Sequence, residues 1–455
     1  MKDQLNDKTP LLRKEVQQSI NNFPANIDAN VHERAKHGKG NYLTSTMNLA
    51  MSAIGAGILS YPYAVKNSGI VLNFFWTVIF ALPVFYTLIL FRKFAQRRME
   101  QMHMFTFEEL TYLMLGTSGY NFAVFWTLIN QIGSLTGFMI IIADVTHPVL
   151  REWLGDDSFF ATRAFAVIGF ALIILPLSFL KDLHGLTFSS VIGIGSVVAV
   201  VGLLVYQGVF DIIKHKVEWE KIDIYYNWGL HMFVSPPICV FSLGCHLQVI
   251  PIYAELKQSS KHLMDLVSFS VEAFCVILYT AAGVFGYLAF NQDTDGDVLL
   301  NFSLGDVFAD VAKLLMALHV TLAFPVLLLP TKRTISYLLY RYANLYDVAP
   351  TKISQSDSFV KVPSQKVAFI SGMLVLLGTA VMAIFVPEVA VIFGLVGSTA
   401  SVAIMFFVPA LMLIYDDQPF TSEFSRTAQA VILLVVSALT AVVGTGVTIQ
   451  QTYFK

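Results

Sequence analysis

Two stretches carry residue types that could bind a small polar molecule inside an otherwise apolar chain. The first is Ile54-Gly55-Ala56-Gly57-Ile58-Leu59-Ser60-Tyr61-Pro62; the second is Phe241-Ser242-Leu243-Gly244-Cys245-His246-Leu247-Gln248-Val249-Ile250-Pro251. Both set a glycine seven residues ahead of a proline in mid-run. Glycine tolerates backbone angles that other residues avoid, and proline removes a backbone donor. A helix interrupted there exposes N–H and C=O groups that can hold a carboxylate, an amine or a cation. The competing reading is that small residues merely let neighbouring helices pack closely. Matched interruptions in two spans favour the binding reading.

Ionisable groups inside apolar runs are the other candidates, because such groups are costly in a membrane without a role. They are His246, His319, Asp144, Glu272 and Lys313, with Glu255 closing the second stretch as a gate or a solvated end. His319 lies two residues before Thr321, about 200° around a helix, and should point away from it. Lys313 either snorkels outward or pairs with Asp310. Cys239, Cys245 and Cys275 form no CxxC pair and sit by no histidine cluster, so they read as small buried hydrophobes rather than metal ligands.

The elements that must position these residues follow from composition. The 455 residues are 56% apolar and 13% charged, about half the charge of a soluble domain. A bilayer-spanning helix takes about 20 apolar residues, so eleven need roughly 230. This excludes a soluble enzyme, a disordered scaffold and a nucleic-acid binder. An intramembrane enzyme is disfavoured because no nucleophile–base pair or metal cluster is visible, and no cofactor is expected. Apolar runs recur at roughly 43–66, 69–91, 120–147, 161–180, 185–212, 229–255, 265–290, 306–330, 366–387, 389–414 and 426–449. The expected fold is an all-α polytopic membrane protein with eleven transmembrane helices. Residues 1–42 form a polar tail, and residues 43–450 form one membrane domain in the lipid bilayer.

Alternate loops carry 21 and 7 Lys/Arg, with Lys313 inside a span. The richer side includes the tail, which places the N-terminus in the cytosol. The one Asn-x-Ser/Thr site, Asn301-Phe302-Ser303, then falls on the lumenal or extracellular side as a glycosylation candidate. Asp7-Lys8-Thr9-Pro10-Leu11-Leu12 resembles an acidic dileucine sorting signal. That reading, through Asp7, Leu11 and Leu12, implies clathrin adaptors as partners and an endolysosomal or vacuolar membrane over the plasma membrane.

Asn48-Leu49-Ala50-Met51-Ser52-Ala53-Ile54-Gly55-Ala56-Gly57-Ile58-Leu59-Ser60 resembles the first-helix signature of the amino acid/auxin permease family. The block from Phe241 to His246, followed by Val249-Ile250-Pro251-Ile252-Tyr253-Ala254-Glu255-Leu256-Lys257, closely resembles the sixth helix of its sodium-coupled neutral amino acid transporter branch. Gly286 to Phe290, Val320 to Pro325 and Ile140 to Asp144 are similar to other blocks of the family.

The resemblance implies a leucine-transporter-like 5+5 inverted repeat with broken helices one and six. Repeat one would cover about 43–212, repeat two about 229–414, and 426–449 would be an extra helix. It implies a secondary active symporter of amino acids, driven by H⁺ or Na⁺. Substrate carboxylate and amine would meet Ser52, Ala53, Gly55, Ala56 and Gly57, with Ser242 and His246 facing the site. No motif puts a carboxylate in mid-site, which favours neutral substrates. Asn48, Thr321 and His246 are the ion-coupling candidates.

The sequence departs from the branch at Met51, where asparagine is usual. A thioether is a poor ligand for Na⁺, so H⁺ is favoured, with His246 as the group best placed to carry it. The alternative function is a membrane-embedded amino acid sensor that signals through its cytosolic tail.

Overall fold

The computed structural model describes residues 40–99, 106–155, 157–177, 186–226, 228–256, 260–302, 307–343, 365–386, 388–416 and 422–453. The sorting residues Asp7, Leu11 and Leu12 lie outside the described residues. Among these, eight helices are long and apolar enough to cross a membrane, and Arg163–Pro176 and Phe369–Phe385 are shorter apolar helices. The expected first span appears as separate short pieces, so length alone does not register it.

The chain enters at α1 (Tyr42–Ala53), where Asn41 caps the helix by accepting from the Thr44 amide. A 3₁₀ turn, Ala56–Ser60, leads into α2 (Tyr61–Ser68), with Pro62 in its first turn. Proline is tolerated there because those amides have no helical partner. α3 (Ile70–Met99) returns, and α4 (Phe107–Leu154) crosses again. α4 starts well before the apolar run at 120. It kinks at Gly116, whose φ of 71° suits glycine.

α5 (Arg163–Leu177) and α6 (Leu186–Ile213) form the next pair. The second interrupted span is α7 (Ser235–Ser242) followed by α8 (His246–Glu255). α9 (Lys261–Phe290) and α10 (Val307–Ala343) follow. α11 is Gln365–Phe385, and α12 (Val389–Val396) runs through two π-turns into α13 (Val408–Tyr415). α14 (Glu423–Leu439) and α15 (Thr445–Tyr453) flank a third π-turn.

The broken pieces occupy the interior. Leu49, Ile54, Ile58, Leu59 and Tyr61 are buried, as are Ile238, Cys239 and Val240. Large apolar residues of α3, α5, α9, α11 and α14, such as Leu82, Leu172, Ile277, Leu377 and Ile432, are exposed. Leucine and phenylalanine on that outer surface suit contact with lipid tails rather than water. The protein is an integral membrane protein.

The chain alternates between two faces. The tail side carries Gly40, whose amide donates to Glu255 O at 3.1 Å. The far side carries the loop between α9 and α10.

Candidate functional site

At the first break the α1 ladder ends when the Ile54 amide donates to Ala50 O at 2.6 Å. Gly55 follows in extended backbone, φ −124° and ψ −161°, before the 3₁₀ turn begins. At the second, Leu243 caps α7, and Gly244 and Cys245 lead to the restart at His246. The first residues of each new helical piece have no carbonyl behind them within the piece, and the last carbonyls have no amide ahead.

The breaks face one another. A Cβ built on Gly57 would collide with Ser242 Oγ. This close approach is what glycine permits at position 57. Tyr279 of α9 ties the two breaks together: its hydroxyl lies 2.7 Å from Ala53 O and 3.1 Å from Ser242 O. Its ring stacks on Tyr61 at 4.8 Å.

Between the breaks lies a cavity of about 170 Å³. Ser52, Ala53, Gly55, Ala56, Gly57, Ser242 and His246 all border it, as the sequence reading had them, and so does Asn48. Asn130, Gln131 and Ser134 of α4, Ser190 of α6 and Gln248 of α8 add amides and hydroxyls. Ser242 Oγ is buried with no hydrogen-bond partner among the described residues, so it is available to a bound molecule. The lining runs down α8 to Glu255, an exposed residue, so the cavity opens toward the tail side. From the far half, Phe241 stacks on Phe393 at 4.4 Å.

Three side chains, His319, Thr321 and Lys313, are placed differently from expectation, and His246, on the cavity as expected, is also bonded outside it. His246 Nε2 sits 2.8 Å from Thr87 Oγ1 of α3, and its ring meets Phe91 edge-on at 5.7 Å. The imidazole is therefore engaged with α3. His319, expected to point away from Thr321, borders the cavity, and its Nδ1 is 3.1 Å from Gly193 O. Thr321, two residues on, faces elsewhere and donates to Ala317 O of its own helix at 2.7 Å. The 200° offset was sound, but the helix is rotated so that position 319 takes the inward side. Lys313 does not snorkel: it is 5% exposed, and its Nζ is 3.4 Å from Phe302 O.

Met51 packs on Gly193, where a Cβ would lie 2.9 Å from its sulfur and 3.2 Å from His319 Nδ1. Ser190 Oγ is 3.4 Å from Asn48 Oδ1. A thioether and an imidazole thus meet at Gly193, one helical turn along α6 from the contact of Ser190 with Asn48.

On the far side, hydrogen bonds tie the first broken span to the loop between α9 and α10. Ser60 Oγ donates to Gly296 O at 2.8 Å, and Lys66 Nζ to Thr294 O at 3.0 Å. Arg163 pairs with Asp144 at 2.9 Å. Asp297 accepts from the Leu299 amide at 2.9 Å and is 2% exposed. Burial raises its carboxyl above the ordinary carboxylate range. Asn301 is bound into the same loop, with its Nδ2 2.7 Å from Asp293 O.

Residues 38–450 match the family described as "Transmembrane amino acid transporter protein". The chain belongs to this family. Amino acid transporter AVT6E of Arabidopsis thaliana is 25% identical over 91% of this transporter and 84% of its own length. Sodium-coupled neutral amino acid symporter 2 of Danio rerio is 25% identical over 83% of this chain and 76% of its own. Two solved structures share the fold. One is MhsT in complex with L-phenylalanine, with a TM-score of 0.55 and 11% identity over 90% of this chain and 97% of that one. The other is a Na⁺-coupled sialic acid symporter in a substrate-bound outward-open state, with a TM-score of 0.54 and 12% identity over 96% of this chain and 97% of that one. The transporter is an amino acid transporter, not an enzyme.

Sequence reasoning missed Tyr279 and the α4 amides. Tyr279 carried a signal, a hydroxyl in an apolar run. Asn130, Gln131 and Ser134 stand close together within one span and could have been read as a polar face.

Proposed function

We propose that the protein is a secondary active transporter of small neutral amino acids, coupled to H⁺ and working by alternating access. The observation that carries this is the cavity between the two breaks, lined by amides and hydroxyls with its one carboxylate, Glu255, at the rim. A cationic or anionic side chain would need a charged partner in such a space, whereas a neutral one needs only these groups. A cavity of about 150 Å³ holds a benzene-sized molecule, so about 170 Å³ suits alanine, serine or glutamine better than tryptophan. The α-carboxylate and α-amine would meet the cut helix ends at Gly55–Gly57 and Ser242.

Met51, His319 and the rotated Thr321 support H⁺ over Na⁺, because a thioether, an imidazole and a hydroxyl turned elsewhere are not the hard ligands that Na⁺ needs. Hydrogen bonds hold the far side together while the cavity reaches the tail side, the arrangement of one of the two states that alternating access requires. A 5+5 repeat relating the two broken spans would swing one set of helices against the other. In this reading the N-terminus is cytosolic. The membrane is that of an acidic organelle, which would supply the gradient. The test is uptake of labelled L-alanine, L-serine and L-glutamine into vesicles under imposed gradients. Uptake should follow an H⁺ gradient at fixed Na⁺; uptake that follows Na⁺ at fixed pH would reject the coupling.

A further inference from the structure

Glu272 is a carboxyl with no cation paired to it among the described residues. It lies on α9, 4% exposed, two turns before Tyr279, and Cys275 lies one turn after it on the same buried face. Its Oε1 receives Cys245 Sγ at 3.6 Å, and its Oε2 has no partner among the described residues. Cys245 is the last residue of the second break and borders the cavity. A single thiol therefore separates the carboxyl from the cavity.

Among the described residues, the groups packed around α9 bring no counter-charge to it. Cys245 comes from the break, and Cys275 and Tyr279 from α9 itself. α1 contributes Tyr42, bonded to Ser270, and α2 contributes Tyr61, stacked on Tyr279. α3 contributes Arg92, but its guanidinium is taken up by Asp265, at 2.8 and 2.9 Å, and by Gln96 Oε1 at 3.0 Å. α6 carries Asp211, which accepts from Gln207 near the far end. A bare carboxylate in this surround would be uncompensated, while the carboxylic acid is tolerated.

We infer that Glu272 carries the coupling proton, holding it as the carboxylic acid behind Cys245 while the substrate occupies the cavity. This rests on the reading of the protein as an H⁺-coupled transporter. The proton bonds to a carboxylate oxygen when the break is open to water on the acidic side. It returns to water on the other side when the break moves and Cys245 withdraws. No bond other than O–H forms or breaks. The placement explains coupling in mechanical terms: the segment that meets the substrate is the same segment that covers Glu272. A moving break can thus link amino acid release to proton release. His246, whose ring is held by Thr87 on α3, is not needed for this step.

The test is made in vesicles holding the full-length protein, with a mixture of labelled L-alanine, L-serine and L-glutamine as probe. Wild type is measured first under a pH gradient. If it shows no gradient-driven accumulation, the H⁺ reading fails, and this inference with it. Given a wild-type response, Glu272→Gln, which mimics the neutral acid, should lower gradient-driven accumulation at least tenfold. Counterflow exchange at equal pH should stay within threefold of wild type. Glu272→Asp should retain gradient-driven accumulation with a displaced pH profile. Glu272→Gln that still accumulates at the wild-type level would overturn the assignment. So would loss of accumulation and exchange together in both variants, which would make Glu272 a structural residue.

Discussion

At the first break the chain passes through Gly55 in extended backbone and then tightens into a 3₁₀ turn. At the second it turns within Leu243-Gly244-Cys245 and restarts as an α-helix. The first break is built from absent side chains. A Cβ on Gly55 would meet nothing within 4 Å, and one on Gly57 would strike Ser242 Oγ. The second break supplies side-chain chemistry: the unpartnered Ser242 hydroxyl and the Cys245 thiol against Glu272. Tyr279 holds the two at a fixed distance. Two glycines in one motif thus have separate duties: Gly57 allows the breaks to touch, and Gly55 leaves room for a ligand.

That division can be broken at its strongest point first. Gly57→Val should cut uptake by up to about 100-fold, since overpacking costs about 1–3 kcal/mol and here falls between the two breaks. The protein should still reach the membrane, which a membrane-fraction blot checks. Tyr279→Phe removes the donor that serves Ala53 O and Ser242 O. A buried carbonyl without its donor costs about 1–3 kcal/mol, so uptake should fall roughly tenfold, read as initial rate at saturating amino acid.

Gly55 sharpens the comparison because its dihedrals are open to any residue. Gly55→Ala should leave the maximal rate near wild type and raise KM about threefold, a loss of under 1 kcal/mol of binding. The rise should be greater for glutamine than for alanine. Equal KM shifts for both would mean that position 55 does not face the ligand.

The smallest effect concerns the far-side loop. The Asp297 carboxyl is raised when seated, so seating is favoured at low pH and weakens as pH rises through the raised value. Leu299 is buried and Leu300 exposed in the same loop. The labelling rate of Leu299→Cys relative to Leu300→Cys should rise two- to threefold between pH 5.5 and 8. A flat ratio would remove Asp297 from the closure.

The breaks were legible in the sequence because glycine and proline act through the backbone, whatever surrounds them. The inward positions of Asn48, Ser52 and Ser242 follow from their nearness to those breaks. Rotation of the unbroken helices was not legible. In water an apolar stripe marks the buried face, but in lipid both faces of α10 are apolar, so nothing in Val320 to Pro325 says whether 319 or 321 turns inward. For a related reason, the sequence placed His246 beside a break but could not show its contact with Thr87 on a neighbouring helix. Glu272 stood out as an intramembrane carboxyl, yet its partner Cys245 lies 27 positions away, a pairing that only the fold supplies.

The central claim is that the space between the breaks holds the amino acid. Gly55→Cys would set a thiol into that space, since nothing lies within 4 Å of its Cβ. Its rate of modification by a small membrane-permeant thiosulfonate is the direct measurement, with Gly378→Cys, also open but on α11, as reference. The account predicts that saturating neutral amino acid slows modification at position 55 at least fivefold and leaves position 378 unchanged. Equal rates at position 55 with and without amino acid would contradict it.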